Sequence, residues 1–408
     1  MSSTNVTRRQ ALAEAPPSVA AGARLGLVVA FVTLLVLGTD LFIASPLLPD
    51  IGKEYDISAG MAGNSVTAFS VAYIIGAPTA GALTYRVGPR TVLVLGLAGF
   101  ALGNLLTAMS PWFWMLLVVR ILAGFCAAAV TPTILSLVGQ VAPAERRGVW
   151  MSTVIAGFLI ALTTGAPLGT FMAERWGWKA PFLAIAVASA VLIAANRITW
   201  RSAASPAGQA AGSAGDKLPL STKLRAVGVT GFWSFAVYCF YTYLGTALEE
   251  DAHFSTGMIA TTLAVFGVGA VVGSFGGGAL ADRFGQQRIA VLSLLLLSAA
   301  LVLIDLTLTG PKWVLIAVLC LFALVAYPCL PAHQSRLVHT FPQHHIGSMF
   351  AWDGFFMYLG TSIGAAIGSV LITQISFESI PVVCAVVGVL GAFFYRAAFP
   401  RSGAPQSV

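Results

Sequence analysis

A set of prolines and glycines recurs along this chain at a nearly constant offset, and that repeat limits the architectures open to it. Pro132, Pro143, Gly148, Gly165 and Gly169 return as Pro331, Pro342, Gly347, Gly364 and Gly368, each 199 positions later (331 − 132 = 199). Upstream, Gly81, Leu83, Arg86 and Gly88 return as Gly278, Leu280, Arg283 and Gly285, at an offset of 197 (278 − 81 = 197). Solenoid repeats run to roughly 50 residues, so this period is too long for one. It implies two matched bodies facing each other.

The bodies are built for lipid. Of the 408 residues 58% are hydrophobic and 9% charged, against about 25% charged in soluble chains. Runs close to the ~20 residues that cross a bilayer fall near 25–46, 59–84, 91–109, 113–138, 149–172 and 180–196, then 225–247, 255–281, 289–308, 313–337, 346–372 and 379–398. The expected fold is therefore all-α, with twelve transmembrane helices in two pseudo-symmetric six-helix bundles. A disordered cytoplasmic tail is expected over 1–23, the bundles over 24–200 and 225–398, and a second tail over 399–408. The Ala/Gly/Ser-rich segment 201–224 reads as a flexible linker between them.

Basic residues divide unequally between the alternate loops. With the amino terminus inside, Arg86, Arg90, Arg197, Arg283, Arg288, Arg336 and Arg396 fall on the cytoplasmic side, while only Lys53, Arg175, Lys179 and Lys312 face out. That asymmetry predicts a multi-pass protein of the cell (inner) membrane with both termini cytoplasmic. It also accounts for the net charge of +7 without a nucleic-acid partner. The five cysteines all lie inside hydrophobic runs, so no disulfide framework or metal site is expected. No cofactor is expected, and with no nucleophile elbow or phosphate loop no enzymatic role is either.

Small residues recur every fourth position in four runs: Ala72, Gly76 and Ala80; Ala161, Gly165 and Gly169; Gly269, Gly273 and Gly277; and Gly360, Gly364 and Gly368. Such stripes let helix backbones approach closely in lipid. Glycine is common in membrane helices generally, but four stripes related in pairs by the repeat predict grooves at the interface between the bundles. Smooth seams of that kind suit bodies that rock against each other.

Several motifs carry a family resemblance across nearly the whole chain. GGALADRFGQQR (Gly277 to Arg288), RILAGFCAA (Arg120 to Ala128), GFLIALTTGAPLGT (Gly157 to Thr170, with Pro167) and GTDLFIASPLLPDI (Gly38 to Ile51) resemble signatures of the major facilitator superfamily. Within it they are similar to the twelve-span drug/proton antiporter group, including sugar, nucleobase and chloramphenicol exporters. In GALTYRVGPR, Tyr85 stands where that family usually has an aspartate that latches the inner gate. The resemblance then implies an inner latch leaning on Asp282, with Arg86 and Arg283 contributing.

Asp40, Arg120, Asp305 and Asp353 lie inside hydrophobic runs. Charges at the bilayer centre cost about 2.5–3.5 kcal/mol on insertion scales, so they usually face the protein interior and mark ion or substrate paths. At 1.5 Å per residue, Asp40 and Arg120 reach similar depths, which predicts that they face each other across the outer half of a cavity. Burial raises a carboxyl pKa and a nearby cation lowers it, so rearrangement of the pair is a route to proton coupling. A static salt bridge is the competing reading. Asp353, nearer the inner side, shares a helical face with Met357, Gly360 and Gly364 that is expected to point at the bundle interface. His333 is its candidate partner.

Candidate cavity residues are Thr33, Asn64, Thr67, Thr131, Tyr238, Tyr241, Trp352, Phe356 and Met357, a set of rings with a few hydrogen-bonding groups that suits a small, mostly apolar organic molecule. The expected function is proton-coupled efflux of such molecules by a monomeric transporter that alternates access. The alternative is a proton-coupled importer of a small metabolite, and the direction of flux separates the two.

Overall fold

The computed structural model describes residues 17–142, 147–200 and 218–399, and they form helices and short connections. The first span is two helices, α1 (Pro17–Phe42) and α2 (Ala44–Tyr55). After the single turn α3 (Ala59–Ala62) come α4 (Asn64–Val87), α5 (Pro89–Ala108), α6 (Phe113–Val141), α7 (Arg147–Trp176) and α8 (Lys179–Thr199). The second half repeats the pattern with α9 (Leu220–Glu250), α10 (Thr256–Phe284) and α11 (Gln286–Thr307), then a broken span, α12 (Lys312–Ala326) and α13 (Cys329–Thr340), and finally α14 (Gln343–Gln374) and α15 (Ser379–Ala398).

The repeat has a backbone meaning. Gly88 and Gly285 both take positive φ, 85° and 96°, and each closes the tight turn between the second and third spans of its half. A side chain there would be strained, which is why glycine marks both turns. The helix of the first span starts at Pro17, so the expected tail is helical over 17–23. Pro17 at the first helical position and the alanines that follow favour this. Residues 1–16, most of the linker (201–217) and 400–408 lie outside the described residues.

The molecule is inside out relative to a soluble protein. Polar Asp40, Arg120, Asn104, Asn196, His333 and Asp353 are buried, while Val118, Val191, Leu306 and Phe393 are exposed. Trp112, Trp114, Trp176 and Trp313 are also exposed, at helix ends on the face away from the chain ends, the belt position of interfacial tryptophan. Among the described residues, ten stretches are long and apolar enough to cross a membrane by length and composition. Nearly every residue of α9 from Ala226 to Leu248 is buried, so its surroundings are protein rather than lipid and it can carry polar groups.

The bundles meet through α2 on α9, α4 on α14 and α7 on α10. The predicted glycine grooves belong to those helices but face the other way. Gly76 packs on Phe125 and Ala128 of α6, Gly165 and Gly169 on Thr39 and Ile43 of the first span, Gly273 on Leu324 of α12, and Gly364 on Phe235 and Cys239 of α9. The stripes therefore knit each bundle internally, where helix backbones come closest. The seam between the halves uses other close approaches, Gly245 against Ser45 and Pro46 and Gly267 against Thr163.

Candidate functional site

The seam is closed toward the far face, opposite the chain ends. Pro46 and Pro49 lack the N–H groups that would pair with the Phe42 and Ser45 carbonyls in a continuous helix, so the first span breaks near Ile43 and leaves both acceptors open. The second bundle meets this break directly. The Tyr241 hydroxyl donates to the Phe42 carbonyl at 3.0 Å, and the Gly245 N–H donates to Ser45 Oγ at 3.1 Å. Gly245 has to be glycine, since a Cβ would strike the Ser45 carbonyl and Pro46 backbone. Further out, Ser369 Oγ donates to the Gly60 carbonyl at 2.6 Å and Lys53 pairs with Glu249 at 2.7 Å.

An aromatic layer backs this closure. Tyr73 of α4 stacks on Tyr358 of α14 with centroids 3.5 Å apart, and Phe42 contacts both Tyr238 and Tyr241, at 6.3 and 5.8 Å. Tyr238 and Tyr241, expected in an open cavity, are instead buried in this seal. Tyr73 and Tyr358 went unnoticed in the sequence, because single tyrosines in apolar runs look like core residues until their helices are seen to face one another.

Toward the chain-end face, among the described residues, no hydrogen bond or ion pair joins the two bundles. Arg86, Asp282 and Arg283, the expected latch, are exposed there. The Tyr85 side chain lies outside the described residues. Arg90 donates to the Arg197 carbonyl at 2.8 Å, a tie within the first bundle at the end of α8.

Asp40 and Arg120 form a bidentate pair, with Nη1–Oδ1 at 2.8 Å and Nη2–Oδ2 at 3.0 Å. They do not face each other across a cavity. Asp40 is 0% and Arg120 3% exposed, and the guanidinium lies over Phe69 at 4.6 Å and Phe182 at 5.5 Å, inside the first bundle. Thr33 is also internal to the first bundle, accepting from Asn196 Nδ2 at 3.1 Å.

Asp353 is 3% exposed and points into its own bundle rather than at the interface. Thr230 Oγ1 donates to its Oδ1 in a short hydrogen bond, and Gln334 Nε2 donates to Oδ2 at 3.2 Å. His333 Nε2 lies 3.4 Å from Oδ1, near enough for an ionic contact but not aligned as a hydrogen bond, while its Nδ1 is 3.2 Å from the Tyr395 hydroxyl. The structure therefore brings Asp353 and His333 together and adds Thr230, Gln334 and Tyr395. These partners sit on α9, α13 and α15, elements whose facing could not be read from one sequence.

Of the remaining cavity candidates, Thr131 lies beside Tyr73. Asn64, Thr67, Thr131, Trp352, Phe356 and Met357 are half-buried, and Thr67 Oγ1 has no partner. Among the described residues no group of three or more His, Cys, Asp or Glu could hold a metal ion.

Two six-helix halves, broken first and tenth spans and buried intramembrane charges describe an architecture that can be matched to known proteins. The family described as Major Facilitator Superfamily matches residues 30–246 and again 226–408, once per half. The chain belongs to the Major Facilitator Superfamily. Among superfamily relatives, the uncharacterized MFS-type transporter YbcL of Bacillus subtilis (strain 168) is 28% identical over 363 residues, 86% of this chain and 90% of the relative. The inner membrane transport protein YdhP of Escherichia coli (strain K12) is 27% identical over 357 residues, with 86% and 90% covered. The chloramphenicol resistance protein of Streptomyces lividans is 29% identical over 276 residues, 65% of this chain and 69% of the relative. Among solved structures, a D-xylose-proton symporter superposes with a TM-score of 0.79 at 16% identity, covering 92% of this chain and 97% of that one. The superfamily fold is thus common to both, and the protein is a membrane transporter.

Proposed function

We propose that the protein is a proton-coupled exporter of small, moderately hydrophobic organic molecules, working as a monomer by alternating access with its chain-end face in the cytoplasm. The observation that carries the reading is the buried Asp353 cluster. Its carboxylate is held by neutral donors and by a histidine that can be charged or neutral. Such a group can take up a proton without stranding a fixed cation, and His333, next to it, can hold or release one as the helices around it shift.

The Asp40–Arg120 pair has a different part in this reading. Both carboxylate oxygens are taken by a guanidinium that stays charged. Protonating Asp40 would leave that cation buried and unpaired, at a cost of about 3–5 kcal/mol. The pair therefore holds the break in the first span against α6.

Outward direction is supported by relatives named for chloramphenicol resistance and for probable sugar efflux, and by the GAPLG stretch around Pro167. In this reading the seal at the far face belongs to the state that accepts cargo from the cytoplasm. Half-buried Trp352, Phe356, Met357 and Thr131 offer rings and one hydroxyl to it. The test is transport in inverted membrane vesicles acidified inside, with a panel of antibiotics and apolar metabolites. Export predicts that a substrate accumulates in the lumen and dissipates the pH gradient. Proton-driven uptake in right-side-out vesicles alone would make the protein an importer.

A further inference from the structure

We propose that a cleft on the chain-end face of the second bundle binds the phosphate headgroup of an anionic phospholipid. The cleft, about 870 Å³, lies between the start of α11, the side of α13 and the end of α15, and is lined by Arg288, Arg336 and Arg396 together with Gln287, Leu292 and Leu295. Among the described residues none of the three arginines has a carboxylate partner. Arg336 lies over the Phe399 ring, its guanidinium carbon 4.5 Å from the ring centre, and its Nε is buried without a hydrogen-bond partner. A guanidinium fixed by packing, with a donor left over, is set up for an oxygen that the protein itself does not supply.

Two further features choose the ligand. α11 begins in the wall of the cleft with no side chain capping it, so its first N–H groups add donors and a positive dipole end beside the arginines. Below them the wall turns aliphatic, with Leu292 49% and Leu295 38% exposed on the bilayer-facing side of α11. Cations above and exposed leucines below match a lipid with an anionic headgroup and acyl chains, whereas a soluble anion has no use for the lower wall. A second cleft, at the far face between α5, α7 and α8, provides the contrast, since its cation Lys179 already pairs with Glu54 at 2.5 Å.

Native mass spectrometry of the full-length purified protein tests this, with phosphatidylglycerol, phosphatidylcholine and inorganic phosphate titrated separately. The wild type should retain phosphatidylglycerol over phosphatidylcholine, and Arg288→Gln with Arg396→Gln should cut that preference about tenfold. Both arginines are exposed, so the variant should keep the wild-type melting temperature in lipid-free detergent. Arg283→Gln, exposed on the same face but outside the cleft, should bind lipid as the wild type does. No preference in the wild type, an unchanged preference in the double variant, or displacement of the lipid by millimolar inorganic phosphate would each overturn the proposal.

Discussion

The Tyr241 hydroxyl reaches across the seam to the Phe42 carbonyl, 3.0 Å away, and supplies the donor that Pro46 withholds. A helix break that exposes a carbonyl is costly in a low-dielectric interior unless something pairs with it. Here the partner comes from the other bundle, so the Phe42 carbonyl keeps this donor only while the far face is closed. Opening the far face must replace this bond with water or cargo.

Removing the donor should therefore favour the open far face. Tyr241→Phe leaves the Phe42 carbonyl unpaired in the closed state, at about 1–3 kcal/mol, or roughly five- to 150-fold in the balance between closed and open. A cysteine introduced at Thr246, buried next in the chain to Gly245 of the seam, should then react faster with a membrane-impermeant maleimide added from the far side. Unchanged labelling would mean that the bond contributes nothing to closure.

Gly245 tests the same closure sterically. Its backbone lies against the Ser45 carbonyl and Pro46, so Gly245→Leu should prop the far face open through overpacking of about 1–3 kcal/mol or more. Labelling at Thr246 should rise and transport should fall. Gly257→Leu, where a Cβ meets nothing within 4 Å, should do neither.

Lys53 and Glu249 close the rim, half in water. The Glu249 hydrogen bond raises the Lys53 pKa above its ordinary 10.5. A lysine whose folded-state pKa is raised contributes stability that is complete below 10.5 and is lost as pH rises through the folded value. Exposed pairs are worth only about 0.2–1 kcal/mol and are screened by salt. The far-side labelling rate, divided by that of a fully exposed reference cysteine at the same pH, should accordingly be flat from neutral pH to about 10 and fall away from that constant ratio only above the ordinary lysine pKa. Lys53→Glu should loosen the rim, and adding Glu249→Lys should restore it.

How much of this could be read in advance follows from which forces act along one helix and which act between helices. The span positions, the paired Gly88 and Gly285 turns and the matched halves are properties of local sequence and of lipid as solvent, and they were legible. The Asp40–Arg120 depth match was also visible, since the rise per residue is fixed. Facing was not legible. Ala72, Gly76 and Ala80 show that a helix has a smooth side but not which neighbour uses it, and the stripe proved to serve α6 rather than the other bundle. Thr33 sits on the helix of Asp40 yet turns to Asn196. Pro46 and Pro49 were the available signal for the Phe42–Tyr241 bond, since two missing N–H groups in one span leave two carbonyls in need of donors.

Asp40 and Asp353 should fail differently when neutralised. Asp40→Asn strands the Arg120 guanidinium between Phe69 and Phe182, where among the described residues only the aspartate pairs with it. Breaking a buried pair from one side costs about 3–5 kcal/mol, so the variant should lose yield and thermal stability, and adding Arg120→Gln should recover much of both. Asp353→Asn keeps an oxygen for Thr230, and half-buried Gln334 can rotate to offer its own oxygen to the new amide. The structural penalty should stay near about 1 kcal/mol, while the group that takes up a proton is gone. Purified Asp353→Asn should therefore melt close to the wild type and still exchange labelled for unlabelled substrate across a vesicle membrane, but should no longer build a substrate gradient from a pH gradient. Full proton-driven accumulation by Asp353→Asn, with its loss in the stable Asp40→Asn/Arg120→Gln variant, would transfer the coupling role to the first bundle.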